Sequence, residues 1–149
     1  EWVDTDSVIE ARHGPIIDIF SSSGEEAFRD MERSLAVELA GRDGLVISTG
    51  GRMMLDEDTA ALLGADSRVF CLTAEVGEIM RRVVDQDEPV RPLLADPRPV
   101  ERIEQLLAER ESAYLRFEQV ATDGRSAAEV AADIVARVTG TQRPSEATQ

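Results

Sequence analysis

The sequence predicts an α/β protein, a three-layer α/β/α arrangement with helices on both faces of a parallel sheet. Two observations carry this. The strand-like segments GLVIS (44–48), RVFCL (68–72) and EQVAT (118–122) include continuous apolar runs, not strict alternations. Helical patterns separate each from the next. Parallel strands covered on both faces and joined by helical crossovers have that signature.

Taken in order, EWV (1–3) reads as the end of a strand and residues 7–12 as a helix, which Gly14-Pro15 breaks. IIDIF (16–20) is a short helix. Residues 22–41 are a long one: Ser23 and Glu26 form a capping box, Phe28, Met31, Leu35 and Leu39 share an apolar face, and Gly41 stops it. GLVIS is a buried strand, LDEDTAALLG (55–64) a short helix closed by Gly64, and RVFCL a strand that buries Cys71 as an inert thiol. AEVGEIMRRVV (74–84) is a helix. The proline-rich stretch that follows has no periodicity, so residues 85–97 are read as a loop, and its length suggests a lid. Residues 100–117 form a long amphipathic helix, EQVAT a short strand, and residues 126–138 the last helix, with a capping box at Ser126 and Glu129. One domain spans 1–138, and the polar segment 139–149 is expected to be a disordered tail.

The 149 residues carry 16 basic and 30 acidic side chains, a net charge of −14. A nucleic-acid backbone or an anionic membrane would be repelled, so neither is expected as a partner. A small anionic ligand remains compatible, because a few arginines in a cleft outweigh the global field locally. A single cysteine excludes a disulfide framework. No segment reaches the ~18 apolar residues of a membrane span and no signal peptide is visible, so a cytoplasmic monomer acting on a small molecule is expected.

Ligands of parallel α/β sheets sit at the carboxyl ends of the strands. That rule selects Asp4-Thr5-Asp6, Ser48-Thr49-Gly50-Gly51 and Leu72-Thr73. Two carboxylates two apart in an extended segment point to opposite sides and would do different work, one toward a metal–phosphate group and one toward a substrate hydroxyl; alternatively one caps the following helix. Gly50 and Gly51 either form a plain turn or open backbone N–H groups to a ligand. Arg29 is either solvated and paired with Glu25 or Glu32, or clamps a carboxylate with its guanidinium fork. Arg91, in the loop, could meet a phosphoryl charge or be an ordinary exposed side chain. Arg110 and Tyr114 share a helix face and could pack together. Arg82 is a candidate for stacking on a nucleotide base, and His13, beside Gly14-Pro15, is given no role.

The ordered set DTD (4–6), GEEAFR (24–29), STGG (48–51), RPLL (91–94) and ERESAY (109–114) resembles the shikimate kinase family, of the nucleoside-monophosphate-kinase-like P-loop fold, from Asp4 to about Val138. The resemblance implies ATP-dependent phosphoryl transfer to the 3-hydroxyl of shikimate in aromatic amino-acid biosynthesis, with ATP and Mg²⁺. It implies that Asp4 helps order the metal through water, and that Asp6 binds substrate hydroxyls and acts as the base. Arg29 and Arg110 would bind the shikimate carboxylate, and Gly50 and Gly51 would bind substrate through backbone N–H groups. Arg91 would bind ATP phosphates and stabilise the transferring group.

The sequence departs from the family pattern in three places. No G-x-x-x-x-G-K-[ST] occurs in it. The chain reads as beginning mid-fold, with the first strand, phosphate loop and first helix missing, and as a fragment inactive alone. Arg52 stands where the family usually has a third glycine. TDGRSAAEV (122–130) lacks a proline that helps hold adenine in the family. Two alternatives stay open: a degenerate domain that binds a carboxylate or a partner, and a related small-molecule kinase such as a gluconate kinase.

Overall fold

The computed structural model describes residues 1–84 and 98–140, the Val84 side chain excepted. The chain divides into two compact units, Glu1–Ser67 and Arg68–Gln149. The expected loop at 85–97, with Arg91, and the tail at 141–149 lie outside the described residues.

In the first unit, β1 (Trp2–Asp4) leads directly into α1 (Thr5–His13). The Asp4 carboxylate accepts the Ser7 N–H at 2.8 Å and caps this helix. Helix formation thus begins two residues before the position read from the sequence, and Asp6 lies in the first helical turn, not in an extended segment. After Pro15, α2 (Ile16–Ala40) is interrupted at Gly24, whose φ of 83° and ψ of 170° are not helical. Only glycine takes that conformation cheaply, and the break falls inside the longer segment read from the sequence, so that residues 21–23 continue the first helix.

The capping box expected at Ser23 and Glu26 is not formed. Ser23 Oγ lies 3.4 Å from Ser22 Oγ, and Glu26 pairs with Arg33 at 2.7 Å. The break falls at Gly24, one residue beyond the presumed cap. Beyond it the apolar stripe buries Phe28, Leu35, Ala36 and Leu39, with Met31 half-buried.

The strand β2 (Val46–Ser48) pairs in parallel with β1, with Asp4 opposite Ser48. A 3₁₀ turn (Met53–Leu55) then precedes α3 (Glu57–Gly64), which Asp56 caps through the Thr59 N–H at 2.8 Å.

The second unit contains β3 (Phe70–Thr73), α4 (Val76–Val84), α5 (Pro99–Tyr114), β4 (Glu118–Ala121) and α6 (Ala127–Thr139). β3 and β4 are parallel, with Thr73 opposite Ala121. Pro99 occupies the first turn of α5, where a missing N–H costs nothing. This helix ends at Tyr114, short of the expected 117, in a tight turn whose Phe117 N–H donates to the Tyr114 carbonyl. The capping box at Ser126 and Glu129 forms as expected.

The strands are parallel, as their composition predicts, but less enclosed. Val46 in GLVIS is 68% exposed and Leu72 in RVFCL 58% exposed, while Cys71 is half-buried. Each strand pair is a separate two-stranded sheet among the described residues. Desolvation still raises the Cys71 thiol pKa, which keeps it protonated. No helix among the described residues is long and apolar enough to cross a membrane.

Candidate active site

The register that sets Asp4 opposite Ser48 also puts the two segments that follow side by side. Ser48 Oγ donates to Asp4 Oδ2 at 3.1 Å, tying the strand ends together. Beyond them, Gly50 approaches the Asp6 carboxylate. A Cβ built on Gly50 would lie 2.9 Å from Asp6 Oδ1, closer than side chains pack. Gly50 is not at positive φ, so what an added side chain would meet here is the Asp6 carboxylate and not backbone strain. Gly51 follows in the turn, exposed.

The two aspartates have opposite electrostatics. The Ser7 backbone N–H, above all, holds the Asp4 pKa below the usual carboxylate value, with the hydroxyls of Ser7 and Ser48 adding to it. Asp6 is pushed above it, first by burial and then by the negative charges of Asp4 and Glu10, while Arg29 pulls it back. Asp4 is therefore firmly ionised, and Asp6 is a carboxylate of increased basicity.

Arg29 lies one turn beyond the Gly24 break. Its Nη1 donates to Glu32 Oε2 at 2.5 Å. On the other edge, Nε and Nη2 both donate to Glu25 Oε1, at 3.3 and 3.0 Å. The Phe28 ring lies beneath the guanidinium, 5.1 Å from its carbon. Both of the ion pairs anticipated for Arg29 form, and they are not equivalent. Glu25 is half-exposed, whereas the Glu32 side chain is 4% exposed. Burial raises the Glu32 pKa, and the Arg29 hydrogen bond and charge pull it down. A buried carboxylate that holds one edge of the guanidinium fixes the direction of the other.

Glu32 is a part of this site that residue-type reasoning passed over as a surface partner. Its signal was present: position 32 falls between 28 and 35 on the apolar stripe, an unusual place for a charge.

Arg52, where a third glycine was expected, points its guanidinium back to α2. Its Nη1 donates to Glu25 Oε1 at 2.8 Å, the oxygen that Arg29 also uses. Arg29, Glu32, Arg52 and Asp56 line one side of a hollow of about 250 Å³. A larger one of about 350 Å³ runs along α1 and α2 past Arg12, His13 and Glu38, and includes none of the candidates.

In the second unit, Arg82 donates from Nε to Glu78 at 2.7 Å and from its two terminal nitrogens to the Thr122 hydroxyl and carbonyl, at 2.9 and 2.8 Å. Its edges are engaged, which leaves stacking on a guanidinium face as the available contact. Arg110 Nη1 lies 3.5 Å from the Tyr114 hydroxyl, the packing anticipated for this pair. Asp4, Asp6, Arg29, Gly50 and Gly51 thus belong to the first unit, and Arg82 and Arg110 to the second.

For a divalent cation, no group of three or more His, Cys, Asp or Glu side chains gathers among the described residues. Asp4 is ionised, and its two oxygens accept from the Ser7 N–H and the Ser48 hydroxyl. That donor set suits a hydrated ion, such as Mg²⁺, held through its water.

Parallel strands with a basic carboxylate, an oriented arginine and a close-approach glycine gathered beyond their ends define an α/β domain that holds a small polar ligand. Comparison with known proteins makes the class specific. Residues 1–139 match the family model described as "SKI: Shikimate kinase". The chain is 40% identical over 139 residues to a shikimate kinase of Thermus thermophilus, covering 92% of this chain and 75% of the relative. It is 38% identical over 143 residues to that of Halorhodospira halophila, covering 94% and 80%. Among solved structures, shikimate kinase from Acinetobacter baumannii in complex with shikimate superposes with a TM-score of 0.84 at 27% identity, over 97% of this chain and 81% of that one. The chain belongs to the shikimate kinase family, ATP-dependent phosphotransferases with the P-loop kinase fold.

Proposed function

We propose that the protein, as its gene encodes it, transfers the γ-phosphoryl group of ATP to the 3-hydroxyl of shikimate, and that Asp6 and Arg29 act on the acceptor. The observation that carries this is the pairing of a carboxylate of raised pKa, set against Gly50, with an arginine whose charge acts on it and whose direction a buried glutamate fixes. Family membership supports the reaction class.

In this reading Arg29 grips the shikimate carboxylate through its Nε–Nη2 edge, and Arg110 is a second clamp. Backbone N–H groups at Gly50 and Gly51 contact the ring hydroxyls. Asp6 hydrogen-bonds the attacking hydroxyl and takes its proton as the new O–P bond forms, while the bond between the γ-phosphorus and its bridging oxygen breaks and ADP leaves. Its raised pKa suits that exchange. Arg91 meets the phosphates and stabilises the transferring group, and Arg82 stacks on the nucleotide base. Asp4 would hold Mg²⁺ through water, and the ion would supply charge neutralisation at the phosphates. Positioning and charge stabilisation are what such a transfer requires from a protein. A monomer in the cytoplasm, with one domain across 1–138 and a lid at 85–97, completes the proposal.

A coupled ADP-release assay tests it, with shikimate and gluconate as rival acceptors at saturating ATP and Mg²⁺. ADP release that depends on shikimate and not on gluconate is expected. Release with gluconate alone would reassign the acceptor, and shikimate binding without any release would favour a binding domain.

A further inference from the structure

Arg29 is occupied in this structure. Its Nε–Nη2 edge, which suits a bidentate carboxylate, faces Glu25. The fit is poor, because one oxygen serves both N–H groups, at 3.3 and 3.0 Å, where a fork-to-fork pair uses two oxygens. That same oxygen is nearer to Arg52, at 2.8 Å. Glu32 holds Nη1 at 2.5 Å and is buried, so it does not exchange. Glu25 and Arg52 are half-exposed and can move, with side chains 47% and 51% accessible.

We propose that Glu25 is an internal stand-in for the ligand carboxylate on Arg29, and that Arg52 is the receiver that holds Glu25 when the ligand displaces it. This rests on the reading of Arg29 as the carboxylate clamp. A ligand that offers two oxygens to the Nε–Nη2 edge replaces a one-oxygen contact, and Glu25 keeps its shorter bond to Arg52. Its charge is then never left unpaired. Without Arg52, Glu25 has Arg29 as its cation and competes harder for it. Arg52 thereby becomes a positioning residue for substrate affinity, acting through Glu25 from the turn that carries Gly50 and Gly51.

Calorimetric titration with shikimate tests this on the protein as its gene encodes it, for Glu25→Gln, Arg52→Ala, the double variant and Arg29→Ala. Glu25→Gln is expected to tighten binding and Arg52→Ala to weaken it, each by about two- to fivefold, the scale of an exposed ion pair. The double variant should bind like Glu25→Gln, since Arg52 has no work once Glu25 is neutral. In steady-state kinetics the changes should fall more on KM than on kcat, a split that general loosening of the fold does not produce. Weaker binding by Glu25→Gln overturns the proposal. So does an Arg52→Ala penalty that persists at full size in the Glu25→Gln background, which would mean that Arg52 touches the ligand itself. Unchanged binding by Arg29→Ala would instead remove the clamp reading and the inference with it.

Discussion

The α-carbon of Gly50 faces the Asp6 carboxylate so closely that one added methyl group would lie 2.9 Å from Oδ1. The glycine at this turn is thus a condition for where the carboxylate stands. The obstructing atom is the tip of a side chain, which can swing away at little cost in stability. Gly50→Ala is therefore expected to leave the melting temperature nearly unchanged while displacing Asp6. Misplacing a reacting group by about an ångström costs on the order of 100-fold in rate, so kcat should fall by roughly 10- to 100-fold. A large loss of melting temperature with kcat intact would reverse this assignment of cause.

Asp6→Asn should separate activity from stability. The amide cannot accept the proton, and kcat is expected to drop by about 10²- to 10⁴-fold, the usual contribution of a positioned base. Stability moves the other way at neutral pH. The folded pKa of Asp6 lies above its unfolded value, so the folded state binds more protons between the two values. The ionised side chain then costs stability as pH rises through that window. The variant should melt higher than the wild type at pH 7, with the gain shrinking toward pH 4. Thermal denaturation at the two pH values decides, and an equal or larger gain at pH 4 would contradict it.

Much of this arrangement was legible in the sequence. The strand-end rule selected Asp4–Asp6 and Ser48–Gly51 before any pairing was known, and the β1–β2 register brings those segments together. Four strands and six helices lie close to their expected places among the described residues. What the sequence hid has physical causes. Asp6 looked extended because the Asp4 cap starts the helix early. The Ser23–Glu26 pattern failed because Gly24 breaks the chain where a cap was assumed. Glu32 was read as a surface partner because residue type outweighed its place on the apolar stripe. The sharing of one Glu25 oxygen by Arg29 and Arg52 spans 27 residues in sequence, and no local pattern encodes it.

Arg29→Ala should carry two penalties. Losing hydrogen bonds to a charged group should raise KM for shikimate by roughly 10- to 100-fold. It also leaves Glu32, 3% exposed, without its cation, a change that costs about 3 kcal/mol when a buried pair loses one partner. Without the arginine, burial and the negative charge of Asp6 are opposed only by the Arg52 charge, and the Glu32 pKa rises further above the unfolded value. The stability deficit should therefore grow as pH rises and be smaller at pH 4 than at pH 7. Urea unfolding at both pH values measures it. Adding Glu32→Gln should recover stability at pH 7 and leave KM high; recovery of KM as well would show that Arg29 acts through Glu32 and not on the ligand.

The central claim is that phosphate from ATP reaches the shikimate 3-hydroxyl with Asp6 as the base. Phosphorus NMR of a reaction of ATP, Mg²⁺ and shikimate with the protein as its gene encodes it tests this most directly. The account predicts a phosphate-monoester resonance coupled to the proton on ring carbon 3, growing in step with ADP and absent with Asp6→Asn over the same interval. Inorganic phosphate as the sole new resonance, or undiminished monoester formation by Asp6→Asn, would contradict it.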